Sequence, residues 1–300
     1  MSEHDQTRTV LVGYDGSPAG ELALRWAVEE ARLRGLPLTV CHAWHWPYPF
    51  RPPEEDTLNT LRSIGEAVAE EGVRKARSLA EGLDVRRHLK QGWAPSVLLE
   101  ASRDASVIVL GARGHGGFDD VTVGSTAVQV PSRADRPVIV IRSGLPPALR
   151  HGMRIVVGID GSSASEAALG FAFEEAELRD AWVEAVCSWW DPAALPGPDR
   201  VPFIEPESLR HEASARFERA VAPWRSEHPN IPVKTKFVIE TPRHALVQAA
   251  EDAALLVVGN RGIGSTPKML LGPVTQAALH EAPCPVAVVP AQQSGHSSDT

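Results

Sequence analysis

Two glycine-rich stretches carry the chemistry most directly readable in this chain. Gly111-Ala112-Arg113-Gly114 is followed, nine residues later, by Gly124-Ser125-Thr126, and Gly259-Asn260-Arg261-Gly262 is followed across the same gap by Gly272-Pro273. Each stretch lies between an apolar run and a helical pattern. Glycines let a backbone approach a ligand closely. The N–H groups of such a loop and the open start of the next helix form an anion site, to which a serine adds a hydroxyl. A phosphate is the natural guest. Neither loop carries the Gly-Lys-Ser/Thr of the Walker pattern, and the dinucleotide fingerprint belongs on a first strand-to-helix turn rather than after a fourth strand.

The elements that must hold these loops occur twice. Val12-Gly13-Tyr14-Asp15-Gly16-Ser17 returns as Val157-Gly158-Ile159-Asp160-Gly161-Ser162, an offset of 145 residues between Asp15 and Asp160, and the glycine stretches repeat at an offset of 148. Two copies of one α/β unit therefore lie in tandem. Each opens on an unalternating apolar strand, 9–12 and 154–157, and turns at Asp-Gly-Ser into a helix. Ser17 before Pro18 places a capping hydroxyl ahead of a first-turn proline, and Ser162 or Ser163 caps the second copy. Further strands are expected at 38–44, 84–90, 107–110 and 138–141, and at 182–189, 232–239, 255–258 and 286–289. Helices are expected near 57–81, 95–103, 205–227 and 242–251. Alternating strands and helices with buried strands give two doubly wound five-stranded parallel sheets, flavodoxin- or Rossmann-like. The expected domains are 1–143 and 152–290, with a proline-bearing linker at 144–151 and a flexible tail at 291–300.

Composition narrows the function classes. With 38 acidic and 30 basic residues the net charge is −8, which argues against a nucleic-acid partner. Cys41, Cys187 and Cys284 form no metal or redox spacing and read as buried thiols, and no metal site is expected. The polar start lacks a signal peptide and no apolar run suits a membrane span, so a soluble, cytoplasmic protein without a membrane partner is expected. There is no Gly-x-Ser-x-Gly and no His-Glu-x-x-His, so no catalytic residue is assigned.

The ordered set of motifs resembles the universal stress protein family, and the pair of copies resembles its tandem form. The matching residues are the Val-Gly-x-Asp-Gly-Ser opening, the closing strands Pro137-Val138-Ile139-Val140-Ile141 and Pro285-Val286-Ala287-Val288-Val289, and Gly111, Gly114, Gly124 and Ser125. These last fill Gly-x2-Gly-x9-Gly-Ser/Thr, the family's ATP-binding signature. The resemblance implies that Asp15 contacts the ribose region or helps hold a metal near the phosphates. It implies that Ala43 reads adenine through its backbone, and that Gly111, Gly114, Gly124 and Ser125 cradle phosphates, with Arg113 and Thr126 beside them. Asp160, Ser188, Gly259, Gly262 and Gly272 are the second copy's counterparts. The ligand expected is ATP, with Mg2+ as its companion. The expected role is that of a nucleotide-dependent stress regulator, forming a homodimer and acting on a protein partner not identifiable from sequence. A slow ATPase or adenylating enzyme, or a nucleotide-free scaffold, are the alternatives.

Two departures bear on the sites. Pro273 stands where the signature has Ser or Thr and removes an N–H and a hydroxyl from the second site. The first loop carries Asp119 and Asp120, which repel a polyphosphate unless a cation intervenes, whereas the second carries Lys268. The first site is favoured because its four signature positions, Gly111, Gly114, Gly124 and Ser125, are intact. The neutral reading of Asp15 and Asp160 is turn chemistry alone, and Arg113 and Arg261 read equally as solvated arginines. His42, His45, His115 and Trp44 read as packing or surface residues, and Glu66, Glu70, Glu71, Arg74 and Lys75 as a solvated helix face.

Overall fold

A computed structural model describes residues 8–48, 50–115, 122–142, 153–189, 206–263 and 270–291. Asp119, Asp120, Lys268, the expected linker and nearly all of the expected tail lie outside the described residues. The chain forms two compact units of one plan.

In the first unit the strands are β1 (Thr9–Gly13), β2 (Leu38–Trp44), β3 (Val85–Gln91), β4 (Ala105–Gly111) and β5 (Val138–Ile141). The helices are α1 (Pro18–Arg34), α2 (Glu55–Leu79), α3 (Ala94–Ala101) and α4 (Ser125–Arg133). Strand order is β3-β2-β1-β4-β5, with each neighbouring pair parallel. The chain runs outward from β1 through β2 to β3, then returns to the other side of β1 with β4. Strand order thus reverses between β1 and β4, which is where ligands of open α/β sheets bind. Helices α1 and α2 touch on one face of the sheet, and α3 and α4 touch on the other. This covering explains the apolar runs: Val10, Leu11, Val12, Val107, Ile108, Val109 and the whole of β5 have no exposed surface.

The second unit repeats the plan. Its strands are β6 (Arg154–Gly158), β7 (Trp182–Trp189), β8 (Val233–Ile239), β9 (Leu255–Gly259) and β10 (Val286–Val289), and its helices are α5 (Ser163–Arg179), α6 (Pro206–Glu227), α7 (Pro242–Ala249) and α8 (Pro273–Glu281). Strand order is β8-β7-β6-β9-β10. Capping is the same in both copies. Ser17 Oγ accepts the Gly20 N–H at 3.0 Å, and Ser162, not Ser163, accepts the Ser165 N–H at 3.1 Å. No helix among the described residues is long and apolar enough to cross a membrane.

Two features depart from the sequence reading. Helix α1 buries a charge pair that its apolar pattern does not announce: Glu30 is wholly buried and its Oε1 accepts from Arg34 Nε at 2.6 Å. The pair recurs on α5, where Arg179 and Glu175 stand 2.7 Å apart with side chains 4% and 0% exposed. The expected solvated face of α2 is also incomplete. Arg62–Glu66 and Arg74–Glu71 are exposed pairs, but Lys75 turns toward α1 and meets Glu21, whose Oε1 also accepts the Tyr14 hydroxyl at 2.5 Å. Burial, then the Glu21 hydrogen bond, pushes Tyr14 up to about 12, so it stays a neutral donor. Tyr14 lies directly under α2: a Cβ on Gly72 would come 2.6 Å from its ring. The tryptophans divide: Trp26 is buried, whereas Trp93 is 60% exposed.

Candidate functional site

A cavity of about 460 Å3 opens at the carboxyl end of the first sheet, at the point where strand order reverses. Its volume lies in the range of small-molecule sites. Asp15, Ala43, Gly111, Arg113, Gly114, Gly124, Ser125 and Thr126 all line it, so four separate segments of sequence put their candidate residues on one surface.

The turn after β1 and the loop after β4 are fastened by one carboxylate. Asp15 Oδ1 accepts from the Ser17 N–H at 3.0 Å and the Ser17 hydroxyl at 2.6 Å, and Oδ2 accepts from the His115 N–H at 3.1 Å. The Ser17 hydroxyl also reaches the Arg113 carbonyl at 3.3 Å. Asp15 thus spends much of its bonding capacity within the protein, and the turn-chemistry reading describes a large part of its role.

Ala43 owes its place to strand alternation. Successive residues of a parallel strand present their N–H and C=O to opposite neighbours. The Cys41 carbonyl accepts from Tyr14 on the β1 side, and the Trp44 carbonyl accepts from Gly92 on the β3 side, each at 2.9 Å. Ala43 therefore faces the β1 side, yet the last β1–β2 rung is Gly13 with Cys41. The N–H and C=O of Ala43 extend past the end of β1 at the cavity, a donor–acceptor edge open to a ligand. His42, one residue earlier, folds back through Nδ1 to the Tyr14 carbonyl at 2.8 Å, and because a carbonyl only accepts, that nitrogen is the donor.

Helix α4 begins at the far side of the cavity. Its N-cap is Gly124, with no side-chain cap, and the Gly124 N–H is held by the Ala112 carbonyl at 2.7 Å. The N–H groups at Ser125 and Thr126 are first-turn donors without an intrahelical acceptor, next to the Ser125 hydroxyl. The glycines of the loop have distinct jobs. A Cβ on Gly111 would lie 2.7 Å from the Ala19 backbone, and one on Gly114 would lie 2.5 Å from Asp15 Oδ2, whereas one on Gly124 meets nothing nearer than 3.5 Å. Gly111 and Gly114 are thus needed first for the chain to close on itself, whereas Gly124 leaves its space open. Sequence reasoning missed Leu98 and Ala94 of α3, Leu110, and Cys41 as lining residues, and it read the three lining histidines as packing or surface groups. Their sequence positions, after β2 and β4, already put these histidines near the expected mouth, and the structure places all three in the lining. The α3 residues carry no such sign.

The second unit keeps the same fastening. Asp160 Oδ1 accepts from the Ser162 N–H at 2.9 Å and hydroxyl at 2.6 Å, and Oδ2 accepts from the Ile263 N–H at 2.9 Å. Gly259 packs on Ala164 of α5 as Gly111 packs on Ala19, and Gly262 packs on Asp160. The Gly272 N–H is held by the Asn260 carbonyl at 3.0 Å. Ser188 stands where Ala43 does, two residues beyond Val186, whose carbonyl accepts from Ile159, and its hydroxyl donates to the Glu240 carbonyl. Helix α8 starts on Pro273, so its first turn has one N–H fewer than α4.

The family model of the universal stress proteins matches residues 6–142 and again residues 153–290. The chain belongs to the universal stress protein family. It is similar over almost its whole length to a universal stress protein of Mycobacterium tuberculosis, 34% identical over 301 residues that cover 96% of this chain and 99% of the relative. A universal stress protein of Mycolicibacterium smegmatis is 30% identical over 289 residues, covering 93% of this chain and 96% of the relative. The crystal structure of a universal stress protein from Archaeoglobus fulgidus shares the fold, with a TM-score of 0.70, 19% identity, and coverage of 95% of this chain and 97% of that one. Within the family's glycine signature the first unit is complete through Ser125, and the second departs at Pro273.

Proposed function

We propose that the first unit binds an adenine nucleotide, ATP with its Mg2+, and that the chain works as a nucleotide-dependent regulator in a stress response rather than as a dedicated catalyst. The observation that carries this reading is the meeting of two recognition surfaces in one cavity: the unpaired backbone edge of Ala43, suited to adenine, and the uncapped start of α4, suited to phosphate. Family membership supports it. Among the described residues no three His, Cys, Asp or Glu side chains are grouped to hold a metal ion, so Mg2+ would arrive on the phosphates. Two lining groups favour binding over turnover. Burial pushes the Cys41 thiol up to about 12, leaving it a protonated, weak nucleophile near neutral pH. Both Asp15 oxygens already hold protein donors. The regulatory output belongs to this reading too: a homodimer, or a separate protein partner, would sense nucleotide occupancy.

Mass spectrometry of small molecules released from the purified, denatured protein tests the ligand class. An adenine nucleotide is expected, and calorimetry with ATP and magnesium is expected to give close to one tight site per chain. Pro273→Ser restores an N–H and a hydroxyl to the second unit. Each charge-assisted hydrogen bond contributes roughly 1.5–3 kcal/mol, so second-site affinity should rise about tenfold or more. Two equal tight sites in the unaltered chain, indifferent to Pro273→Ser, would show that this position does not set the difference. Absence of any nucleotide binding would sink the reading.

A further inference from the structure

The common plan of the two units lets one position at the cavity mouth be compared in three dimensions. The N–H of His115 donates to Asp15 Oδ2 at 3.1 Å, and that of Ile263 donates to Asp160 Oδ2 at 2.9 Å. The turn glycines Gly16 and Gly161 both take left-handed φ, +80° and +84°. A Cβ placed on either would lie 3.8 Å from the neighbouring side chain, which is His115 Nε2 in the first unit and Ile263 Cδ1 in the second. His115 and Ile263 are thus spatial equivalents, each lying across the turn that follows the first strand of its unit. Their chemistry is opposite. An imidazole offers a ring N–H and can take a positive charge, whereas the isoleucine, 68% exposed, offers only hydrocarbon.

The surroundings of His115 specify what it would meet. Among the described lining residues the groups able to carry positive charge are His42, His45, His115 and Arg113. The carboxylate lining the cavity is Asp15, and its two oxygens accept three hydrogen bonds from Ser17 and His115. His42 is tied to the Tyr14 carbonyl, on the base side beside Ala43. His115 stands at the opposite side, with the glycine loop and the turn glycine, near the uncapped first turn of α4. A ligand whose base lies along Ala43 carries its charged tail to that side.

We propose that His115 is a phosphate-binding residue of the first unit, its ring lying over the Gly16 turn to donate to the tail of the bound nucleotide, and that Ile263 deprives the second unit of this contact. The proposal rests on the nucleotide reading of the cavity and assigns the discrimination between nucleotide and nucleoside to one side chain. It also gives the two units a chemical difference independent of Pro273.

The test is calorimetry on the full chain at fixed pH and salt, with ATP and adenosine as ligands, for the unaltered protein, His115→Ile, His115→Gln and Ile263→His. His115→Ile is expected to lower the ratio of ATP to adenosine affinity about tenfold or more, the scale of one charge-assisted hydrogen bond. His115→Gln, which keeps an N–H donor, should recover part of that ratio, and Ile263→His should raise ATP affinity at the second site. If His115→Ile weakens ATP and adenosine equally, the residue acts only by shaping the loop and the proposal falls, as it does if the ratio is unchanged. If the unaltered chain binds neither ligand, the nucleotide reading itself falls and takes this proposal with it. If it binds ATP and His115→Ile leaves the ratio unchanged, the nucleotide reading stands without this proposal.

Discussion

Arg179→Ala is expected to destabilise the second unit by about 3–5 kcal/mol, the usual consequence of stripping one partner from a buried ion pair. The size follows from burial: the Glu175 carboxylate has no exposed surface, so water cannot replace the guanidinium 2.7 Å away. Arg34→Ala should have a similar effect in the first unit, somewhat softened because Arg34 is 8% exposed. The paired replacement Glu175→Leu with Arg179→Met removes both charges and should return most of the lost stability, since a well-packed apolar pair is often as stable as the ions it replaces. Urea unfolding followed by tryptophan fluorescence would read the shift in midpoint. An Arg179→Ala protein within about 0.5 kcal/mol of the parent, the ordinary range for surface changes, would mean that the pair is far better solvated than its burial indicates.

The second large effect separates two glycines of one motif. Gly111→Val should lower stability by at least ~1–3 kcal/mol, the usual cost of overpacking, because its Cβ would press the Ala19 backbone from 2.7 Å and backbone cannot rotate aside. Gly124→Leu should leave the unfolding midpoint nearly unchanged. Its φ of −74° and ψ of 162° suit any residue, and its Cβ would meet the Ala112 carbonyl at an ordinary 3.5 Å. The added side chain would instead stand over the loop at 112–114 and fill the cavity, so ATP affinity should fall more than tenfold. Calorimetry and thermal unfolding on the same two proteins decide the matter. A stable Gly111→Val chain, or a Gly124→Leu chain that still binds ATP with parental affinity, would reverse the assignment of roles.

These two cases mark what was legible in the sequence. The strands were readable because burial on both faces removes alternation and leaves runs such as Val107-Ile108-Val109-Leu110, and the site loops because glycine and aspartate recur at fixed places in both copies. The reason for the glycines was not readable. Sequence reasoning assigned Gly111 and Gly114 to a ligand, and the structure gives each a prior duty against Ala19 and Asp15. Glu30 and Arg34 escaped notice because a charged i,i+4 pair is the ordinary mark of an exposed helix face. Their recurrence as Glu175 and Arg179 was a signal, since solvated faces drift between copies. Lys75 escaped for a different reason: its partners, Glu21 and Tyr14, lie on other elements, and helical spacing says nothing about groups that meet across helices.

The Asp15 fastening has a consequence for how a ligand is received. A loop that must be ordered by its guest subtracts the entropy of that ordering from the affinity. Here Asp15 joins residues 100 positions apart in sequence, from Asp15 to His115, before any guest arrives. The turn after β1 and the start of the loop are therefore set in place, and association at this edge should resemble a key entering a finished lock more than a hand closing. The same economy limits the carboxylate as a ligand for a cation. Three of the roughly four lone-pair sites of the Asp15 carboxylate already accept from Ser17 and His115, so an ion that used more than the remaining one would displace hydrogens that hold the turn in shape.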